Sequence, residues 1–234
     1  KAAVVSLNAI QKIVWMKISL TNAGKRFNRE WIFRKVDYSF TEGKSYAITG
    51  PNGSGKSTLL QAIGGAIALS EGEAHYVIDM PVVHAAQNAP SLQTRNVEPD
   101  HAFKKISIAA PYLELIEEMT VTELLHFHQQ FKPFLSKISL KEIIATVGLS
   151  KAANKQIRFY SSGMKQRVKL AQAIFSDVPV LLLDEPCTNL DAEGIALYQS
   201  LITTYGPGRM IIVSSNDPQE YSFCEHRINI LDYK

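Results

Sequence analysis

Cys187 and Cys224 are the only two cysteines in 234 residues, too few for a disulfide framework and wrongly spaced for a thiolate metal site. They read as ordinary thiols of a reducing compartment. No apolar run approaches the roughly 18–20 residues that span a bilayer, so the chain reads as soluble, and any role at a membrane calls for a partner. Lysine and arginine never stand more than two in a row, and the formal net charge is only +3. That balance leaves no electrostatic footprint for nucleic acid. The six histidines show no ligand spacing, and His126 and His128 read as surface or packing residues. Apolar matter is plentiful: 46% of residues are hydrophobic, enough for one large domain with a substantial core.

One segment carries specific chemistry. Gly50-Pro51-Asn52-Gly53-Ser54-Gly55-Lys56-Ser57-Thr58 fits G-x-x-x-x-G-K-[ST], the phosphate-binding P-loop. Glycines without a Cβ let the backbone turn left-handed and aim successive N–H groups at an anion. Lys56 would reach the β- and γ-phosphate oxygens, and the Ser57 hydroxyl would ligand Mg²⁺. The flanking pattern agrees. Residues 45–49 have the length and β-branched character of a strand, and residues 57–63 read as a helix whose dipole end faces the phosphates.

Along the rest of the chain, strands are expected near 18–22, 36–40, 73–78, 106–109, 180–183, 210–213 and 228–231. Helical periodicity begins at Thr120, with Val121, Leu124, Leu125 and His128 at i, i+3, i+4 and i+7. Further helices are expected over 140–147, closed by Gly148, and over 164–175. The stretch 80–105, with Pro81, Pro90 and Pro99, reads as a loop with short strands. Residues 1–15 read as an extension ahead of the domain, which would span 16–234. Strands alternating with helices after a P-loop predict an α/β fold with a mostly parallel sheet and a helical insert.

A second constellation sits at the far end of the domain. A buried run, Leu181-Leu182-Leu183, ends in Asp184 and Glu185. Asp184 is placed to sit beside Mg²⁺; Glu185, one residue on, is placed to polarise an attacking water. With both constellations present, the chain resembles the nucleotide-binding subunit of an ATP-binding cassette (ABC) transporter, from Ile18 to Leu231. The P-loop and Asp184-Glu185 match the two Walker motifs, Thr188-Asn189-Leu190-Asp191 matches the D-loop, and the segment from Tyr160 to Arg167 matches the family signature.

The resemblance implies a P-loop NTPase sandwich of the ABC ATPase type, with an antiparallel β subdomain and a helical subdomain over about 112–165. It implies ATP and Mg²⁺ as ligands, with Asp191 grouped among the nucleotide-binding residues. Phe27 falls where the family stacks a ring on adenine; the competing reading is a core aromatic beside the first strand. Two copies, or this chain and a related one, would pair head to tail, with Ser161 and the Gly163 N–H of one chain meeting the γ-phosphate held by the other. A separate transmembrane permease, at the cytoplasmic face of the membrane, would be the driven partner.

The departures are specific. Ser162 and Met164 replace a signature glycine and glutamine. Pro111 stands where the family's Q-loop glutamine is expected, and Asn216 stands at the switch-histidine position, where it donates a hydrogen bond but cannot shuttle a proton. Binding chemistry reads as intact, and hydrolysis as real but slow.

Overall fold

The computed structural model describes residues 15–82 and 91–234. Two sheets carry the architecture. The first is antiparallel, in the order β2-β1-β4-β5, from β1 (Trp15–Phe27), β2 (Glu30–Thr41), β4 (Glu71–Val82) and β5 (Ser91–Val97). The second is parallel, in the order β6-β7-β8-β3-β9, from β3 (Ser45–Thr49), β6 (Ile106–Ala109), β7 (Val180–Asp184), β8 (Met210–Ser214) and β9 (His226–Asn229). Helix α1 (Lys56–Ile63) follows β3, and the short α2 (Pro99–Ala102) precedes β6. Between β6 and β7 come α3 (Val121–Phe131), α4 (Leu140–Thr146) and α5 (Ser162–Ile174). Helix α6 (Ala192–Tyr205) joins β7 to β8, and α7 (Pro218–Tyr221) joins β8 to β9.

The apolar strands of the parallel sheet follow from burial on both faces. Val180 and Leu182 of β7 and Met210 and Ile212 of β8 turn into a core shared with α1 and the antiparallel sheet. Their neighbours Leu181, Leu183, Ile211 and Val213 turn the other way, into a core built with α3, α4, α5 and α6. The insert helices start on side-chain caps: Thr120 with Glu123 for α3 and Ser139 with Glu142 for α4 form capping boxes, satisfying N–H groups that a helix start leaves open.

The stretch 80–105 holds a short strand of the kind expected there: β5 pairs antiparallel with β4 from Tyr76↔Val97 to Val82↔Ser91, and α2 follows. Gln93, Thr94, Arg95 and Asn96 are all exposed, as befits a sheet edge, so no apolar alternation marks the strand. Helix α6 was not expected at all. Its interior holds Gly194 and the β-branched Ile195, Ile202, Thr203 and Thr204, poor helix formers. The extension expected over 1–15 lies outside the described residues except for Trp15, which opens β1.

His128 fastens α3 to α5. Its Nε2 lies 3.0 Å from Ser176 Oγ, its Nδ1 lies 3.3 Å from Gln172 Nε2, and its ring stacks on Phe134 at 5.2 Å. Burial, helped by the Lys132 charge, lowers its pKa to about 4, so the folded chain holds it neutral. The unfolded chain takes up that proton near pH 6.5. His128 therefore stabilises the fold above pH 6.5, and its contribution is lost as pH falls from there to about 4. The loss is on the order of 2 kcal/mol, once solvent screening of the partly exposed ring is discounted from the full shift of roughly 3 kcal/mol. Chemical denaturation across that window, beside His128→Gln, should show the wild type losing stability more steeply than the variant; parallel curves would refute the assignment.

Candidate functional site

The site forms where three parallel strands end together. Ile48 of β3 and Asp184 of β7 both pair with Ser214 of β8. The P-loop leaves β3, Glu185 follows β7, and Asn216 follows β8, so the sheet delivers all three to one edge, where open α/β sheets bind ligands.

The P-loop closes on itself before α1 begins. Ser54 N–H donates to the Pro51 carbonyl at 3.2 Å, and the buried Lys56 donates Nζ to the same carbonyl at 3.2 Å. Gly55 has φ 101° and no side-chain cap, and a Cβ there would lie 2.4 Å from Ile32 Cγ2. Only glycine fits that position. The resulting cleft of about 220 Å³ is lined by Ile32, Asn52, Gly53, Gly55, Lys56, Ser57, Thr58 and Glu185.

Asp184 is 1% exposed. Burial raises its pKa, while nearby Ser214 and Ser57 hydroxyls and the Lys56 charge pull it back down. Its Oδ1 has no hydrogen-bond partner, nor does the buried Ser54 Oγ. Polar atoms left open inside a protein call for an explanation. Here a cation at Asp184 and an anion over the P-loop fit them. Among the described residues no cluster of three His, Cys, Asp or Glu could hold a metal.

Glu185 takes a left-handed backbone, φ 41°, which turns it off the strand line and into the cleft beside Ser57 and Thr58. Asn216 Nδ2 donates to Asn52 Oδ1 at 2.8 Å, so it reaches the P-loop directly. Phe27 ends β1 half exposed, at 50%, with Lys25 Nζ 5.0 Å from its ring centre. Phe27 is therefore not a core aromatic.

Pro111 contributes backbone only. Its carbonyl accepts from Lys169 Nζ at 2.7 Å, and Ala110's does so at 3.2 Å. Its neighbour Tyr112 is a residue the sequence reasoning missed. Tyr112 is 46% exposed, and partial burial of its phenol lifts it to about 12, with the Asp184 charge adding to the rise and Gln61 acting as a side-chain hydrogen-bond partner. Its side chain thus lies near Asp184, a proximity set by β6 running beside β7 and invisible in local sequence.

The signature residues lie elsewhere. Ser161 caps α5, accepting from Met164 N–H at 3.2 Å. A Cβ on Gly163 would lie 2.9 Å from the Asn189 carbonyl. Asp191 caps α6 by accepting from Gly194 N–H at 2.8 Å, so its carboxylate is already engaged, and within this chain it serves as a helix cap. These residues line a second cleft, with Ser162, Met164, Arg167 and Leu190. The two clefts have no residue in common.

A glycine loop opening a helix at the end of a parallel sheet, with an aspartate facing it from the next strand but one, is the architecture of P-loop nucleotide-binding domains. The ABC transporter family matches residues 33–188, and the chain belongs to that family. It is 28% identical over 211 residues to the uncharacterized ABC transporter ATP-binding protein YybJ of Bacillus subtilis (strain 168), covering 89% of each chain. It is 27% identical over 207 residues to the cytochrome c biogenesis ATP-binding export protein CcmA of Agrobacterium fabrum, covering 87% of this chain and 90% of that one. Among solved structures, a dimeric post-hydrolysis state of the ATP-binding cassette MJ0796, bound to ADP and Pi, is 26% identical with a TM-score of 0.71, over 91% of this chain and 94% of that one.

The loop geometry sets an order of sensitivity. Gly55→Ala combines φ 101° with the Ile32 collision, whereas Gly53→Ala meets φ 74° with nothing within 4 Å. Gly53→Ala should cost about 1–2 kcal/mol of stability, and Gly55→Ala more, with nucleotide affinity falling in the same order. Calorimetric titration with ATP would reveal it, and equal losses would contradict it.

Proposed function

We propose that this chain is the ATP-binding and ATP-hydrolysing subunit of an ABC transporter, paired head to tail and acting on a separate transmembrane permease at the inner face of the membrane. The observation that carries the pairing is the separation of the two clefts. In the family pattern Ser161 and Gly163 meet a γ-phosphate, and here they line a cleft that shares no residue with the Lys56–Ser57 cleft, which supports a second chain supplying that surface. Among the described residues no helix is long and apolar enough to cross a membrane; the membrane-spanning role would belong to the partner.

In the reaction, Phe27 stacks on adenine, the P-loop N–H groups and Lys56 hold the phosphates, and Asn216 donates to a γ-phosphate oxygen. Ser57 and Asp184 would hold Mg²⁺, which offsets charge on the β- and γ-phosphates. Glu185 orients and polarises the attacking water. Catalysis by position and charge needs little more. Turnover is slow because Pro111 offers no side-chain oxygen or amide and Asn216 cannot take up a proton.

Those two substitutions favour one alternative: a regulatory or assembly module, or the weaker half of a heterodimer, in which closure on ATP matters more than turnover. ATPase rate against protein concentration decides. A rate rising faster than linearly, and abolished by Glu185→Gln, supports a self-sufficient pair. ATP-driven dimers in both proteins, with no rate above that of Glu185→Gln, support the alternative. Restoring the imidazole with Asn216→His should raise turnover severalfold without tightening ATP binding; an unchanged rate would show that Asn216 is not what limits hydrolysis.

A further inference from the structure

The peptide unit between Pro186 and Cys187, directly after Glu185, is gripped from two sides. Its carbonyl accepts from Gln166 Nε2 at 2.7 Å. Gln166 is 3% exposed and lies on α5, one turn past Ser161 and Gly163. The Cys187 N–H of the same peptide donates to Glu220 Oε1 at 2.7 Å. Glu220 is 4% exposed and lies on α7, four residues beyond Asn216.

Neither grip is casual. The Glu220 carbonyl is itself fixed by the Tyr198 hydroxyl at 2.7 Å, from a tyrosine with no exposed surface, so the residue is held in place by its surroundings. Beyond the gripped peptide the segment stays tight: Thr188 N–H donates to Glu185 O at 3.1 Å and Leu190 N–H to Cys187 O at 2.9 Å. These turns carry the Asn189 carbonyl to Gly163, against the start of α5. The segment from Glu185 to Asn189 therefore touches α5 at two points and α7 at one.

We propose that Gln166 and Glu220 are positioning residues that make the Pro186–Cys187 peptide a rigid link between the nucleotide cleft and the start of α5. Through it, engagement of a γ-phosphate by Asn216, with the attacking water held by Glu185, resets Ser161 and Gly163, the groups offered to the other chain's nucleotide. The link rests on the pairing proposed above only for its purpose. The transmission itself operates within one chain.

Hydrogen exchange measured by mass spectrometry, on the full chain diluted until monomeric, tests it with and without Mg-ATP. The proteins are wild type, Gln166→Ala, Gln166→Leu, Glu220→Ala and Glu220→Gln. In wild type, ATP should slow exchange in the P-loop and also at 161–167. The Ala and Leu variants should keep ATP affinity within about threefold and keep P-loop protection, yet lose protection at 161–167 by roughly tenfold, the scale of one broken buried hydrogen bond. Glu220→Gln keeps an oxygen for the Cys187 N–H and should behave as wild type, a rescue that general loss of packing would not give. If Ala variants do not fold, Gln166→Leu and Glu220→Gln against wild type still decide.

Wild type showing P-loop protection but none at 161–167 overturns the link, as do folded Gln166→Leu and Glu220→Ala proteins that transmit normally. Transmission in wild type without dimers or turnover upholds the link and sinks the functional reading instead. An absence of P-loop protection sinks both.

Discussion

The peptide between Ser214 and Ser215 ties three strand ends together. Its carbonyl accepts from Glu185 N–H at 2.9 Å, and its N–H donates to the Ile48 carbonyl at 3.1 Å. Because β3, β8 and β7 are parallel and adjacent, this one unit sets the height of the P-loop, of Glu185 and of Asn216 relative to one another. A slip of one residue along β8 would exchange the two faces of the strand, driving Ile211 and Val213 into the core meant for Met210 and Ile212. Both faces are filled with apolar side chains, so such a slip is strongly opposed, and the precision of the cleft is inherited from the core.

That core carries an arrangement that is locally unfavourable. Lys56 and Asp184 are buried, Ser54 Oγ, Asp184 Oδ1 and Ser214 Oγ are left open, and Glu185 holds a left-handed backbone, which costs a non-glycine residue about 1–2 kcal/mol. Such features persist only where the surroundings over-determine them. A nucleotide bound in the proposed way would relieve part of the cost and stabilise the fold by mass action.

What was legible in the sequence was what is local. The P-loop and Asp184-Glu185 are contiguous runs whose chemistry follows from residue type and spacing, and the apolar strands 180–183 and 210–213 announce burial on both faces. What was hidden depends on neighbours far along the chain. Tyr112 nears Asp184 only because β6 lies beside β7. Asn216 meets Asn52 across 164 positions. The edge strand β5 carries no pattern because solvent, not core, faces its described side chains. Helix α6 was masked by its own cap: Asp191 reads as part of a nucleotide motif, while in the fold its carboxylate starts a helix.

The separation of the two clefts has a genetic corollary. If each nucleotide is held by one copy's P-loop and closed over by the other's α5, a lesion at Ser161 or Gly163 spares the site of the chain that carries it and disables its partner's. Damage then acts in trans. In a cell making intact and damaged copies together, mixed pairs would keep one working site, and only pairs of two damaged chains would lose both. A P-loop lesion in one copy and a signature lesion in the other would instead fall on a single shared site, leaving the opposite one whole, so two individually harmful alleles would complement each other.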